Sequence, residues 1–349
     1  MKTFWTSIHY LRAIAALMVV THHVPYALNS WGFKTPLAFD LGAWGVDLFF
    51  VISGFVMAST SGLTPGPATA KRFLVSRFIR IVPMYWVVIL FPVLLGLVFP
   101  SIFRSFNFPI EQVLKSMFFV PYLDDRGLMR PVVSQGWTLN FEMYFYATIA
   151  LALLFFSRWR LLAIFTLLMA VFSAIRMDVF SLPPAMQVYA APIVFEFLLG
   201  LLLPSFLDRM NWQASRKLPI GIFCIALALV ILISAPSGLH QEYNSIDRLV
   251  YWGSAAFATA LGFCLLEPVF GKAKIAMLLG DASYAIYLVH GLVFGLLLKL
   301  IPKSTPLLLA GTLAFFAAIL VGQFFHLLLE KPITKILRDC LVPAKDREA

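Results

Sequence analysis

Long apolar runs recur along the whole chain, and they exclude water as the main solvent of its fold. Segments near 8–28, 43–60, 78–99, 137–156, 161–177, 187–206, 218–234, 248–267, 280–301 and 306–329 approach the roughly 20 residues that cross a bilayer as a helix. Charged residues make up 13% of the 349 and hydrophobic residues 61%. A soluble domain carries about 25% charged residues, and a water-borne globule of this composition would expose large apolar patches and aggregate. No polar stretch is long enough for a separate soluble domain. The longest, 100–136, itself contains the mostly apolar run Val113–Leu123. The expectation is an all-α, polytopic membrane bundle of about ten transmembrane helices over 1–335, followed by a short basic tail over 336–349.

The net charge of +10 does not point to nucleic acid, because the basic residues fall between apolar segments. Their distribution orients the helices instead. With both termini in the cytoplasm, 18 of the 27 Lys and Arg residues lie on one side, which favours an even number of spans. Cys224, Cys264 and Cys340 are far apart and form no CxxC pair, so neither a metal site nor a disulfide framework is indicated. The first apolar run lacks a small-residue cleavage signature and reads as a retained span. Pro25 and six other prolines fall near or beyond span ends. Pro83, Pro92 and Pro192 fall inside spans, where they kink a helix or expose carbonyls.

Polar residues inside spans are costly and point to function. In LRAIAALMVVTHH, Arg12 and His23 are eleven residues apart, close to three helical turns, so they share a face roughly 16 Å apart. His23 reads either as a base near neutral pH or as a core histidine bonded to a carbonyl, with Arg12 snorkelling to the surface. Asp47, in GVDLFFVISGFVM, needs a partner such as a His or an Arg, or else satisfies free amides at a helix N-terminus. Ser53 and Gly54 in the same run indicate close helix packing. Arg77 and Arg80, in RFLVSRFIRIVP, share a face, with Lys71 and Arg72 just upstream. They can grip phosphates or simply anchor the cytoplasmic side. Glu142, in GWTLNFEMYFY, lies one turn before Tyr146 and reads as an inward acid or as an interfacial one. In GDASYAIYLVHG, Ser283, Tyr284, Tyr287 and His290 put hydroxyls and an imidazole along one helix, for chemistry or for helix-to-helix bonding. Glu196, Glu267, His326 and Glu330 carry no assignment. Glu267 and Glu330 fall at membrane edges, where an acid needs no special role.

Taken in order, LRAIAALMVVTHH, GVDLFFVISGFVM, RFIRIVPMYW, GWTLNFEMYFY, GDASYAIYLVHG and the closing LEKP resemble the acyltransferase-3 family of membrane acyltransferases. The resemblance runs from near residue 8 to near residue 332. It is greatest to compact members such as exopolysaccharide acetyltransferases. It implies acyl-CoA, often acetyl-CoA, as donor substrate with no tightly bound cofactor, and a carbohydrate or glycolipid hydroxyl as acceptor, in a bacterial inner membrane. The family's basic residue, ten intervening residues and His fall on Arg12 and His23. Its Arg-x-x-Arg element falls on Arg77 and Arg80, and its acid on Glu142. Met143 stands where members often carry a second acid, so a role needing a carboxylate pair does not transfer.

The chemistry expected is acyl transfer with His23 as base or transient acyl carrier. Arg12 contacts the donor, Arg77 and Arg80 bind its phosphates, and Asp47 or Glu142 orients His23. Ser283, Tyr287 and His290 serve as acceptor-side or oxyanion donors. The polar side chains of the opening spans, His23 and Arg12 together with Arg77 and Arg80, are expected to face inward around one cavity reached from the cell interior. The same composition also fits a transporter, although the two halves show no matching broken segments. A non-catalytic component of polysaccharide export fits it as well.

Overall fold

A computed structural model of the chain describes residues 5–36, 39–59, 65–101, 108–123, 127, 129–156, 164, 166–168, 171, 188–209, 214–241 and 244–342. Most of the expected span near 161–177, and the last residues of the expected tail, lie outside them. The described residues are helical or irregular, with no strand among them. The helices are α1 (Thr6–Ser30), α2 (Gly45–Ser59), α3 (Pro67–Val98), α4 (Ile110–Met117), α5 (Trp137–Leu153), α6 (Phe195–Arg209), α7 (Ala214–Ile233), α8 (Ser254–Leu265), α9 (Lys274–Leu300), α10 (Leu307–Phe325) and α11 (Lys331–Leu341).

Seven stretches of the described residues are long and apolar enough to cross a membrane. Of the other expected spans, those near 137–156 and 187–206 correspond to α5, with 17 residues, and α6, with 15. Leu94, Leu97, Phe223, Val230, Ile233, Leu308, Leu320 and Phe324 are all exposed. A belt of large apolar side chains facing outward on several helices suits hydrocarbon as its surroundings.

Proline positions depart from expectation in two places. α1 runs through Pro25 to Ser30, losing one backbone bond without ending. Pro192 sits in a short 3-10 turn, Pro192–Val194, that precedes α6 rather than inside a span. Pro83 and Pro92 do lie within the continuous α3. Two π-helical turns, at Leu249–Gly253 and His326–Glu330, interrupt otherwise regular helices. Such turns frequently mark functional positions, and each adjoins a buried charge.

α1 packs along α9, and α2 packs along α6. The second contact depends on two glycines. A Cβ on Gly54 would collide with the Phe197 carbonyl oxygen, and one on Gly200 with the Val51 carbonyl oxygen. The two backbones therefore touch, as small residues permit between membrane helices. Ser53 and Gly54 thus sit at the close crossing that the sequence suggests.

Asp47 is pinned a turn above this crossing. It is fully buried and receives a bidentate pair from Arg248, Nε to Oδ1 at 2.9 Å and Nη2 to Oδ2 at 2.8 Å. Arg248 also donates to the Leu239 carbonyl at 3.3 Å and lies 4.9 Å from the Trp252 ring centroid. Trp44 Nε1 donates to the Trp252 carbonyl at 2.9 Å. The pair joins the start of α2 to the segment Ile246–Gly253 that leads into α8. Asp47 thus takes an Arg as its partner, one of the two partners the sequence allows, and its carboxylate oxygens are both engaged there rather than at His23. Its partner was free to be a His or an Arg, and a distant Arg supplies both donors in the fork geometry that a carboxylate favours.

Two outcomes are expected for the purified protein in detergent. Gly54→Ala costs about 1–3 kcal/mol through overpacking against backbone and lowers the melting temperature; an unchanged melt would refute the close crossing. Asp47→Ala or Arg248→Ala costs about 3–5 kcal/mol because it strands a buried charge. Asp47→Leu combined with Arg248→Met recovers most of that loss. A double variant no more stable than either single one would show that the charges themselves are required.

Candidate active site

A cavity of about 530 Å³ opens where α1, α2, α3, α5, α9 and α11 meet. Its apolar wall comes from Val46, Phe49, Phe50, Ile52 and Val56 of α2 and Leu139 of α5. Its polar wall is strongly basic: Arg12, Arg72, Arg77, Arg80 and Arg338 line it, and Glu142 is the carboxylate among the lining residues. Helix periodicity explains the placement. Arg77 and Arg80 lie three residues apart, Thr138, Glu142 and Tyr146 four apart, and Ser283 and Tyr287 four apart, so each helix presents one face. One cavity thus gathers Arg12, Arg77, Arg80, Glu142, Ser283 and Tyr287.

The counter-ion arrangement is uneven. Arg80 is paired through Nη1 with Glu330 Oε1, and His326 Nδ1 holds Glu330 Oε2 at 2.8 Å. Glu330 is 2% exposed, so it is the buried partner of Arg80 rather than a membrane-edge acid. Arg80 also lies over the Tyr284 ring at 5.5 Å. Arg77 lies 5.7 Å and 5.8 Å from the centroids of Phe73 and Tyr146. Glu142 Oε1 accepts from Ser53 Oγ at 3.0 Å and from the Tyr146 hydroxyl. Arg12 makes no hydrogen bond or ion pair with the described residues. Among the lining side chains, arginines therefore outnumber carboxylates, inside a largely apolar body.

At one end of the cavity, Thr138 Oγ1 and the Tyr287 hydroxyl are 2.8 Å apart, and each lies 3.1 Å from the Gln135 carbonyl oxygen. The Gln135 side chain turns to His290, Nε2 to Nε2 at 3.2 Å, and packs where Gly291 has no Cβ. His290 Nδ1 is 2.6 Å from the Tyr287 carbonyl oxygen. A carbonyl only accepts, so Nδ1 carries the proton and Nε2 accepts from the Gln135 amide. His290 is fully buried and stands behind the cavity wall rather than in it. Ser283, also on the cavity lining, donates its hydroxyl to the Gly280 carbonyl of its own helix at 2.8 Å.

His23 lies beyond this wall, its ring centroid 4.9 Å from that of His290 and 4.9 Å from that of His22. Its Nδ1 is 2.9 Å from the Val19 carbonyl oxygen. By the same reasoning Nδ1 bears the proton and Nε2 keeps its lone pair, the form a base needs. Neither Asp47 nor Glu142 touches His23, so the expected carboxylate partner is replaced by a backbone carbonyl. His23 does not line the cavity that holds Arg12, Arg77 and Arg80. Farther out, Tyr26 donates to Asp40 Oδ1 at 2.8 Å and lies 3.1 Å from His240 Nε2, beside His22.

Sequence reasoning missed Arg248, Gln135 and the Arg80–Glu330–His326 group. Gln135 precedes the first apolar turn of α5 and carries no periodic signal. Glu330 and His326 are four residues apart, a spacing visible in the sequence, but their link to Arg80 spans 250 positions.

A family model described as an acyltransferase domain matches residues 5–327. The chain is 33% identical over 313 residues to the exopolysaccharide production protein ExoZ of Rhizobium meliloti, covering 86% of this chain and 92% of that one. It is 24% identical over 367 residues to the peptidoglycan O-acetyltransferase OatA of Listeria monocytogenes, covering 96% of this chain but 56% of the relative. The chain thus spans little more than half of OatA's length. It is 27% identical over 321 residues to nodulation protein 10 of Rhizobium leguminosarum bv. viciae, covering 83% of each. No solved structure matches it. The match over most of the chain and the shared length with ExoZ make this protein a member of the acyltransferase-3 family of membrane acyltransferases.

Proposed function

We propose that this protein moves a short acyl group, acetyl in the first instance, from acyl-CoA to a hydroxyl of a cell-envelope or exported carbohydrate. We place it in the bacterial plasma membrane with about ten spans and both termini in the cytoplasm. The observation that carries the donor assignment is the cavity wall of five arginines against one lining carboxylate. An apolar body holding that surplus of charge favours a polyanion, and the diphosphate of coenzyme A supplies one. Guanidinium groups suit it because each offers two parallel donors to a phosphate. Arg77 and Arg80 take the diphosphate, and Arg12, farther along the wall, faces the thioester arm. The apolar side chains of α2 receive the arm itself. Relatives named for exopolysaccharide production and for peptidoglycan O-acetylation support a carbohydrate acceptor and an acetyl group.

In this reading His23 Nε2 removes the proton from the acceptor hydroxyl as its oxygen attacks the thioester carbonyl. The tetrahedral oxyanion then collapses, the carbon–sulfur bond breaks, and the thiolate takes the proton back from the imidazolium. The Tyr287 hydroxyl, at the cavity end nearest His23, is the oxyanion donor. Tyr287, His290 and His23 follow one another ring to ring and His23 does not line the cavity, so turnover requires the cavity to open past Tyr287 toward His23.

The test uses full-length protein in proteoliposomes, labelled acetyl-CoA and purified bacterial exopolysaccharide or peptidoglycan. Wild type is expected to label the glycan, and His23→Ala to lower the rate by about 10²-fold or more. Full labelling by that variant would remove His23 from the mechanism. Uptake of label into the vesicles with no acylated glycan would favour transport instead.

A further inference from the structure

The Tyr287 end of the cavity is built in a way that bears on how long an acyl chain fits there. Phe49 and Ser53, four residues apart, share the cavity face of α2. Ser53 Oγ bonds to Glu142, whose helix carries Tyr146 beside Arg77. One turn back along α2, Phe49 meets the Tyr287 ring edge-on, with centroids 5.8 Å apart and planes at 70°. The cavity face of α2 therefore runs from the arginines, past Ser53, to the Tyr287 end at Phe49.

Tyr287, Phe50 and Leu139 are fixed at this end. The Tyr287 hydroxyl is held by Thr138 and by the Gln135 carbonyl. Phe50 is 3% exposed and stacks on Phe197 with centroids 4.4 Å apart, and Leu139 is 2% exposed. Phe49 differs from them. It is half-buried although it packs against three apolar cores of the bundle, so the side it leaves open is the one that lines the cavity.

We propose that Phe49 is the end stop for the acyl chain, closing the cavity beside Tyr287 so that acetyl fits and longer acyl groups do not. The inference rests on the acyl-CoA reading above. The thioester carbonyl lies at the Tyr287 hydroxyl, and the thioester arm runs back along α2 toward the arginines. The other substituent of that carbonyl, the acyl chain, is then directed into the closed end, where the Phe49 ring takes up the space. Extra methylenes in a well-packed wall force side chains and backbone to shift. The Phe49 ring makes no hydrogen bond, so shortening it enlarges this end while the bonds that hold Tyr287 stay in place.

The test uses full-length protein in proteoliposomes with purified exopolysaccharide and either acetyl-CoA or butyryl-CoA, read as the ratio of the two kcat/KM values. Wild type is expected to favour acetyl by about tenfold or more, the discrimination an apolar pocket gives for added methylenes. Phe49→Ala is expected to lower that ratio by about tenfold, and Phe49→Leu to lower it part of the way. The ratio compares two donors on one preparation, so a general loss of active protein cancels. Should Phe49→Ala give no cooperative melt, Phe49→Leu carries the test. Val56→Ala, two turns nearer the arginines on the same helix, is expected to keep the wild-type ratio. A wild type that uses both donors equally, or Phe49 variants that keep the wild-type ratio, overturns the end stop and leaves the donor reading intact. A shift in Val56→Ala as large as that in Phe49→Ala overturns the placement of the stop at Tyr287. Transfer from neither donor by wild type overturns the donor reading and the end stop with it.

Discussion

Charge neutralisation in a low-dielectric body governs this structure. An isolated charge buried away from water costs several kcal/mol or more, so every ion kept in the bundle has to be matched or placed against a void. Asp47 and Arg248 are matched completely, with exposures of 0% and 2% and both carboxylate oxygens held. Arg80 and Glu330 are matched with help from His326. Arg12, by contrast, makes no hydrogen bond or ion pair with the described residues and faces a void whose lining holds more arginines than carboxylates, which suits an anion. The two kinds of arginine differ less in their own chemistry than in whether a carboxylate stands opposite.

That distinction explains what the sequence revealed. Arg12, Arg77, Arg80, Glu142 and Tyr287 were legible as a group because each lies on a helix whose periodicity fixes its face, and the structure brings those faces to one cavity. Asp47 was legible as an acid in need of a partner. The partner, Arg248, lies 201 positions away, and no local spacing carries that information. The division between Arg248 as a matched ion and Arg77 as a cavity ion was equally hidden, because it depends on how helices rotate about one another. Glu330 was set aside for the same reason. A membrane-edge position looks unremarkable until a π-turn at His326–Glu330 and the approach of α3 bury it.

The fold itself was more legible than the site, since hydropathy alone announces helices of spanning length. The exceptions are instructive. α3 continues through two prolines and α1 through Pro25, because packing on neighbouring helices offsets a lost backbone bond. α5 and α6 are shorter than a full span, and both bring polar residues inward. α6 also meets α2 at glycines where the backbones touch.

α1 connects these parts. It carries Arg12 into the basic cavity and His23 past its end, eleven residues farther along and about 16 Å away. The expectation of a single chamber holding both is not what the structure presents. Arg12 lines the cavity, whereas His23 does not and lies against His290 and His22. A rigid helix that holds an anion-facing cation and an imidazole at fixed separation suits a donor whose charged end and reactive end are also far apart. Phosphates remain where arginines and water can reach them, while the thioester arm extends along the apolar side chains of α2 toward the imidazole. The distance between the two residues, which argues against a compact catalytic dyad, is then the length over which an extended substrate is read.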